Sequence, residues 1–334
     1  MSDVNGIEIS DVLGLSQPLT KLIETVSVGI GKIYEPCHVK RMAKARAEEM
    51  RLISSTINDQ MQLPMKYEDG HVSIDAADAN ELVQRAQNRF LFQEMRKQQN
   101  IEAVVAGAYQ NLETVDHVAE TAVDTDWILR FFDSVATIGD GDMQILWGKI
   151  LAGEVRQPGS FSLRTLETVK NISRKEAECF QKVAPLILSD DDARFVVRDG
   201  NFLEKYDVSF DMLMLLGDCG LMDVTGTVCR NYEITRGTKA SLLQTEDFVL
   251  MSAGKEDRRM LINVHPLTRA GCELFSTLNY RPSIRYFTAV ADHIWNEHYR
   301  LFSGMKIFDK SQALSKNFDY DTTKPIRKYG GTRF

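Results

Sequence analysis

The stretch DMQILWGKILAGEVRQPGSFSLRTL, residues 142–166, carries the densest pattern in this 334-residue chain. Asp142 is predicted to cap a helix here, and the turn residues Pro158 and Gly159 are predicted to follow its end. The apolar residues between them recur at i, i+3, i+4, i+7 and i+8, which places them on one helical face. They are Met143, Leu146, Trp147, Ile150 and Leu151. The pattern predicts a buried helix, a turn and a second helix.

Small and charged residues complete this stretch. Gly148 and Gly153 can let another helix approach closely. Lys149, Glu154 and Arg164 are residue types that could build a nuclease-like or phosphate site, but Lys149 and Glu154 are five apart and do not share a helical face. An ion pair between Glu154 and Arg164 across the turn is the preferred interpretation. The stretch is therefore interpreted as a structural signature, made of Trp147, Gly148, Gly153, Glu154, Pro158, Gly159 and Arg164.

Helical patterns extend over the first two thirds of the chain. Apolar residues recur at helical spacing after Pro18, after Asp75 and after Asp124. Ser173 and Glu176 form a capping box for a further helix. These signals predict helical segments that pack by their apolar faces.

The pattern changes after Leu188. A short helix is predicted after Ser209 and another after Thr268. Strand-like runs are predicted at Phe195–Val197, before the first of these helices, and at Leu221–Val224, Val228–Ile234, Phe248–Met251 and Met260–Val264, between the two. Helices with a small antiparallel hairpin resemble a winged-helix module. The predicted fold class is mainly α: an N-terminal and central helical bundle, a small winged-helix-like α+β module and a C-terminal helix. The predicted domains are residues 1–60 (N-terminal amphipathic helices), 72–187 (central helical domain with WGKILAGE), 188–280 (winged-helix-like module), 281–309 (C-terminal helix) and 310–334 (mobile tail).

Composition limits the classes of function. The net charge is −7, whereas generic nucleic-acid binders are usually basic. Five cysteines without a C-x-x-C pattern favour reduced thiols in a cytoplasm. No apolar run approaches the roughly 20 residues that span a bilayer, and the first residues do not resemble a secretory signal. The expected location is cytoplasmic, with no transmembrane segment.

Motifs that would indicate catalysis are absent from the sequence. GIGKIY at residues 29–34 lacks the spacing of a phosphate-binding loop. His293 and His298 are five apart, so their rings point to different helical faces. Cys229 lies next to Arg230, which is weak evidence for an activated thiol. No catalytic residue, cofactor or metal ligand is predicted, and the chain is interpreted as non-enzymatic with the question of activity left open.

A long helix from Asp75 to about Leu112 is the predicted assembly element, since it would be more than about 50 Å long. An apolar stripe on such a helix needs a partner, and self-association is the commonest solution. A homo-oligomer, most simply a dimer, is expected, with Leu19–Ile30 contributing. The alternative is a break near residues 98–100. The candidate interface residues are Phe90, Phe92 and Met95, with Arg96 and Lys97 at the rim.

Two other functions remain open. Residues 36–52 hold five basic and two acidic residues, and residues 85–100 hold four and one, so each is net +3 and could contact nucleic acid. Solvated helix faces are the preferred interpretation. Residues 181–278 hold 11 basic and 15 acidic residues, and the candidate reading helix after Ser209 has no lysine or arginine. Duplex DNA binding by the winged-helix-like part, Leu188–Leu278, is therefore not expected. Helix 19–34 could instead lie on a membrane surface.

A family resemblance rests on GLSQPLTKLIETVSVGIGKIYEP, QNRFLFQEMRKQQNIE, DTDWILRFFD and WGKILAGEVRQPGSFSLRTL. These segments resemble an uncharacterised bacterial family, domain of unknown function twenty-eight-oh-six, over most of residues 13–185. The first segment and the tryptophan-containing helix are also similar to abortive-infection alpha-type proteins of phage defence. The resemblance implies no catalytic residue or cofactor. The expected function is that of a cytoplasmic bacterial interaction or regulatory protein, and the second similarity suggests phage defence as its setting.

Overall fold

The structure, a computed structural model, describes residues 16–30, 76–191, 193–198, 203–310 and 325–330. Packing divides the chain into two units, Met1–Leu166 and Glu167–Phe334. The five predicted domains are drawn more finely than this division, and their boundaries stay predictions.

The described part of the first unit is built from helices α1 Gln17–Ile30, α2 Ala76–Leu112, α3 Thr125–Val135 and α4 Gly141–Arg156. Asp124 caps α3, as the sequence predicts, by accepting a hydrogen bond from the amide of Trp127 at 2.9 Å. The cap of α4 is Asp140 rather than Asp142, because its carboxylate accepts the Met143 amide at 3.0 Å. Asp142 instead lies in the first turn, where a negative charge is favourable.

The core of the first unit forms where α2 and α4 cross. A Cβ atom added at Gly148 would lie 3.0 Å from the backbone carbonyl carbon of Gly107, so the two helices touch by their backbones. Trp147 is fully buried, and its ring meets that of Phe131 edge to face with centroids 5.4 Å apart. Of the apolar residues predicted for one face of α4, all but Leu146 are buried. Val155, which was not among them, is also buried.

Helix α2 is continuous over 37 residues, so it does not break near residues 98–100. Asn100 is buried at this point, and its side-chain amide donates to the carbonyl oxygen of Ala136 at 2.9 Å. This hydrogen bond ties the middle of α2 to the end of α3. Although α2 is long enough to cross a bilayer, its sequence is too polar, and no other helix in the described ranges meets both requirements.

Helix α5 Leu163–Asn171 contains the boundary between the two units. The described part of the second unit has four further α-helices: α6 Arg174–Val183, α7 Phe210–Asp218, α8 Arg269–Phe275 and α9 Ile284–His298. The start signals predicted for the first three of these are confirmed. Ser173 and Glu176 make both hydrogen bonds of a capping box at α6. Ser209 caps α7 and Thr268 caps α8, each by accepting a backbone amide three residues further on. Short-range capping chemistry therefore sets these helix boundaries.

An antiparallel sheet of eight strands fills the rest of the described second unit. Its strands are β1 Leu188–Ser189, β2 Arg194–Val197, β3 Val228–Ile234, β4 Lys239–Gln244, β5 Phe248–Gly254, β6 Arg258–Pro266, β7 Phe302–Asp309 and β8 Arg327–Gly330. The spatial order is β3-β6-β2-β1-β4-β5-β7-β8. Two-residue β1 joins the two longer halves by pairing with β2 on one side and β4 on the other.

The predicted fold class, mainly α with a small winged-helix-like module, is wrong, because this sheet is the main element of the second unit. Helix α9 ends at His298, and β7 occupies residues that the sequence assigned to the last helix. The segment Arg327–Gly330, predicted to belong to a mobile tail, pairs with β7 as β8. The run Leu221–Val224 forms only an isolated bridge between Met222 and Leu267.

Helix α9 packs on the sheet and anchors its last strand. The hydroxyl of Tyr286 accepts the Val197 amide at 3.0 Å. The carboxylate of Asp292 accepts the hydroxyl of Tyr329 at 2.7 Å and lies 2.8 Å from the Arg327 guanidinium. These contacts explain how a short, polar segment is held at the sheet edge.

Candidate interaction surface

The signature turn is held by Glu154, whose side chain is only 2% exposed. Its carboxylate accepts the amide of Gly159 at 2.6 Å and the amide of Phe161 at 2.9 Å. Gly159 has a φ of 86°, a conformation in which glycine is favoured. The carboxylate thus binds the amides that the turn after α4 presents. The ion pair between Glu154 and Arg164 stays a prediction.

Phe161 is the second anchor of this turn. Its carbonyl oxygen accepts the indole Nε1 of Trp127 at 2.7 Å, while its amide binds Glu154. Its ring lies so close to Gly153 that an added Cβ there would be 2.7 Å from Cε2. The signature residues therefore form and hold a turn. Within it, both oxygens of the Glu154 carboxylate accept backbone amides. The sequence does not indicate Phe161, because Trp127 and Glu154 bond to its backbone groups, which only the folded turn brings near them.

A groove of about 720 Å³ lies in the first unit between α1 and residues 118–123. Lys21 lines it and donates to the carbonyl oxygen of Ala119 at 2.6 Å. Burial lowers the pKa of Lys21, while the carboxylates of Glu154 and Glu24 act in the opposite direction. The Thr25 hydroxyl bonds to the Lys21 carbonyl oxygen at 2.8 Å. The Lys21 and Thr25 side chains that line the groove already bond to backbone carbonyl oxygens of the protein. The geometry of the groove therefore does not indicate a particular ligand.

Arg230, next to Cys229 in β3, pairs with a carboxylate. The guanidinium of Arg230 contacts the carboxylate of Asp190 at 2.7 and 3.1 Å, and the Tyr232 hydroxyl donates to the same carboxylate at 3.0 Å. Burial, with the adjacent Asp190, raises the pKa of Tyr232 far above its usual range. Cys229 lies on the opposite face of β3, with Sγ 3.0 Å from Oδ1 of Asn263. This cluster is structural.

One histidine of the second unit, His265, is a buried residue of the sheet. His265 is buried in β6, and burial, followed by the charge of Arg198, lowers its pKa. Its Nδ1 atom is buried without a hydrogen-bond partner. Across the ranges that the structure describes, no three His, Cys, Asp or Glu side chains are grouped so that they could hold a metal ion.

The N-terminal half of α2 carries an exposed apolar row. Leu82, Ala86 and Phe90 follow at i, i+4 and i+8, and we call these three residues the apolar stripe. Leu82 is 50% exposed and Phe90 is 61% exposed. Ala86 and Phe90 precede Val104 and Ala108 by 18 residues, which is five helical turns, so they lie on the same face. Val104 and Ala108 are fully buried. A face that forms core at one end of α2 is exposed at the other.

A second row lies about a quarter turn away on α2. Arg85, Arg89, Phe92 and Arg96 follow at i, i+4, i+7 and i+11, and we call them the basic stripe. Phe92 is 63% exposed, and the three arginines are also exposed. Arg85 makes an exposed ion pair with Glu81 at 2.6 Å. The row combines positive charge with one accessible aromatic ring.

The predicted interface residues are therefore distributed around α2. Phe90 and Phe92 are two positions apart, which is about 200° on a helix, so they lie on nearly opposite faces. Lys97 lies beside the face of Phe90 and pairs with Glu94 at 2.7 Å. Arg96 belongs to the basic stripe, and half-buried Met95 lies on neither stripe. The structure brings Phe92 and Arg96 together and separates them from Phe90.

A family model described as Protein of unknown function (DUF2806) matches residues 84–291. The match begins in the exposed half of α2, includes the signature turn and extends into α9. Searches of curated proteins and of solved structures gave no match. Because the matched residues make up more than half of the chain, the protein belongs to the family Protein of unknown function (DUF2806).

Proposed function

We propose that this protein is a non-enzymatic interaction protein that associates with a second copy of itself through the apolar stripe of α2. One observation carries the proposal: Phe90 is 61% exposed on the same helical face that buries Ala108 completely. Removing such a side chain from water contributes about 1.5–3 kcal/mol, so each copy gains from covering it.

The shape of the stripe suits a second copy. Ala86 lies at its middle, and a small residue there allows two helices to approach to about 8 Å. In an antiparallel pair centred on Ala86, Leu82 of each copy faces Phe90 of the other. A two-fold arrangement uses the same patch twice, as most soluble oligomers do.

The experiment is light scattering of the full chain at tens of micromolar. The chain mass is 37.9 kDa, and the proposal predicts twice that value. Phe90→Asp returns the mass to that of the monomer, because a carboxylate replaces the centre of the contact. Phe92→Asp is the matched control, since its side chain is equally exposed on the other face, and it stays dimeric. A monomeric wild-type chain, or equal effects of the two variants, contradicts the proposal.

The biological setting is also a proposal. The resemblance of the N-terminal segment and the tryptophan-containing helix to abortive-infection alpha-type proteins supports a role in bacterial phage defence, inside the cytoplasm. Plating of a phage panel on bacteria that express the chain tests it. Reduced plating with the wild type and restored plating with Phe90→Asp would link defence to assembly, whereas equal plating with and without the wild type contradicts the role.

A membrane-surface role for helix 19–34 is less favoured. Val28 is exposed, but the other apolar residues of α1 up to Val26 are buried in the first unit and would have to leave the core to reach lipid; they are Leu19, Leu22, Ile23 and Val26.

A further inference from the structure

The basic stripe of α2 is not used by self-association through the apolar stripe. Its three guanidinium groups and Phe92 lie about a quarter turn from the apolar stripe, so pairing through the apolar stripe leaves most of this row at the edge of the contact or beyond it. Phe92 is 63% exposed, and nothing in the apolar-stripe contact covers it.

The length of the row fits a chain of phosphates. Arg85 and Arg96 are eleven residues apart, or about 16 Å along the helix, which corresponds to on the order of five stacked nucleotides at about 3.4 Å per base. Arginine binds phosphate through a planar fork of donors, and it is the preferred residue for this contact. The spacing of the arginines along α2 therefore suits a linear polyanion.

Phe92 decides which polyanion is favoured. It lies in the same row as the arginines, three residues after Arg89 and four residues before Arg96. An acidic protein segment would need the charges but not the ring. A nucleic-acid strand with accessible bases uses both, because phosphates meet arginine while a base stacks on an aromatic side chain. Duplex DNA hides the faces of its bases, so a single strand fits the row better.

The local charge is positive despite the overall value of −7. Among the described residues, Glu81 pairs with this row, and its ion pair with Arg85 is exposed, with the Arg85 and Glu81 side chains 61% and 66% accessible. Exposed pairs of this kind hold arginine weakly, so phosphate can replace the carboxylate. Glu94 pairs with Lys97, which lies outside the basic stripe.

We propose that the basic stripe of α2 binds single-stranded nucleic acid, with Arg85, Arg89 and Arg96 on the phosphates and Phe92 stacked on a base. The proposal rests on the charge and the aromatic ring of this row, and it does not depend on whether the apolar stripe forms a dimer.

Fluorescence anisotropy of the full chain with a labelled 20-nucleotide oligo-dT tests this inference. Arg89→Glu weakens binding more than tenfold, because one contact is lost and one repulsion is added. Phe92→Ala weakens it by about 5- to 150-fold, the value of one base stacked on an aromatic ring. Phe210→Ala is the matched control, because Phe210 is a similarly exposed ring (65%) at the start of α7, outside both stripes, and it leaves the affinity within twofold. Affinity falls as salt is raised, because phosphate contacts release counterions.

Several outcomes would overturn the inference. One is the absence of oligo-dT binding by wild-type chain whose helical circular-dichroism signal is intact. Another is a duplex of the same length that binds as tightly as oligo-dT. A third is poly-glutamate that competes as well as oligo-dT while Phe92→Ala has no effect, which would assign the row to an acidic protein. Light scattering separates the two proposals, because Phe92→Ala keeps the mass of the wild type.

Discussion

Replacing Glu154 by glutamine tests the physical role of the signature turn. The wild-type carboxylate accepts two backbone amides, at 2.6 and 2.9 Å, from a position that is 2% exposed. Hydrogen bonds to a charged group contribute about 1.5–3 kcal/mol each. Glutamine keeps one acceptor oxygen for one of these amides. Its NH2 group would face the other backbone N–H, so that two hydrogen-bond donors would point at each other. We expect Glu154→Gln to lower the free energy of unfolding by about 2–4 kcal/mol.

Urea denaturation followed by tryptophan fluorescence is the assay, because the Trp127 indole bonds to Phe161 in the same turn. Glu167→Gln is the matched control, since Glu167 is exposed on the next helix, and it should change stability by less than about 0.5 kcal/mol. A Glu154→Gln variant as stable as this control would refute the view that the carboxylate holds the turn.

Three other predictions concern packing and thiol chemistry. Trp147→Ala should lower the free energy of unfolding by about 3–5 kcal/mol in urea titration, and an unchanged midpoint would contradict its place in the core. Gly148→Ala should destabilise by about 1–3 kcal/mol because its Cβ meets the α2 backbone, whereas Gly141→Ala, with open space around it, should not; equal midpoints would count against the helix contact. Burial raises the pKa of half-buried Cys219 to about 11, so iodoacetamide at pH 8 should label exposed Cys229 before Cys219 by peptide mass spectrometry; faster labelling of Cys219 would argue against its partial burial.

The sequence predicts the parts of this fold that depend on neighbouring residues. The caps Asp124, Ser173, Ser209 and Thr268 bond to amides three residues away, so their signals are complete within one turn. Strand β3 shows an alternation of exposed and half-buried residues, and its predicted bounds match the structure.

The sheet as a whole could not be predicted from such local signals. Residues of β7 are buried on both faces, so the strand lacks the alternation that identifies a half-exposed strand. Strand β8 depends on contacts of Tyr329 and Arg327 with Asp292, at least 35 residues away in sequence. The two-residue β1 is too short to give any pattern.

The candidate site shows the same division. The separation of Phe90 from Phe92 follows from the helical repeat alone and could have been drawn from the sequence. The partners of Glu154 could not, because the amides of Gly159 and Phe161 converge only through the backbone path of the turn.

Disulfide cross-linking of Ala86→Cys tests most directly the claim that the apolar stripe joins two copies. In a pair centred on this position the two introduced thiols come within the roughly 4–7 Å Cα separation that a disulfide requires. The account predicts that mild oxidation gives a covalent species of twice 37.9 kDa on a non-reducing gel. Wild-type chain, with its five native cysteines, and Gln84→Cys, exposed on the far side of α2, should form it much more slowly. Cross-linking of Ala86→Cys no faster than of Gln84→Cys would contradict the account.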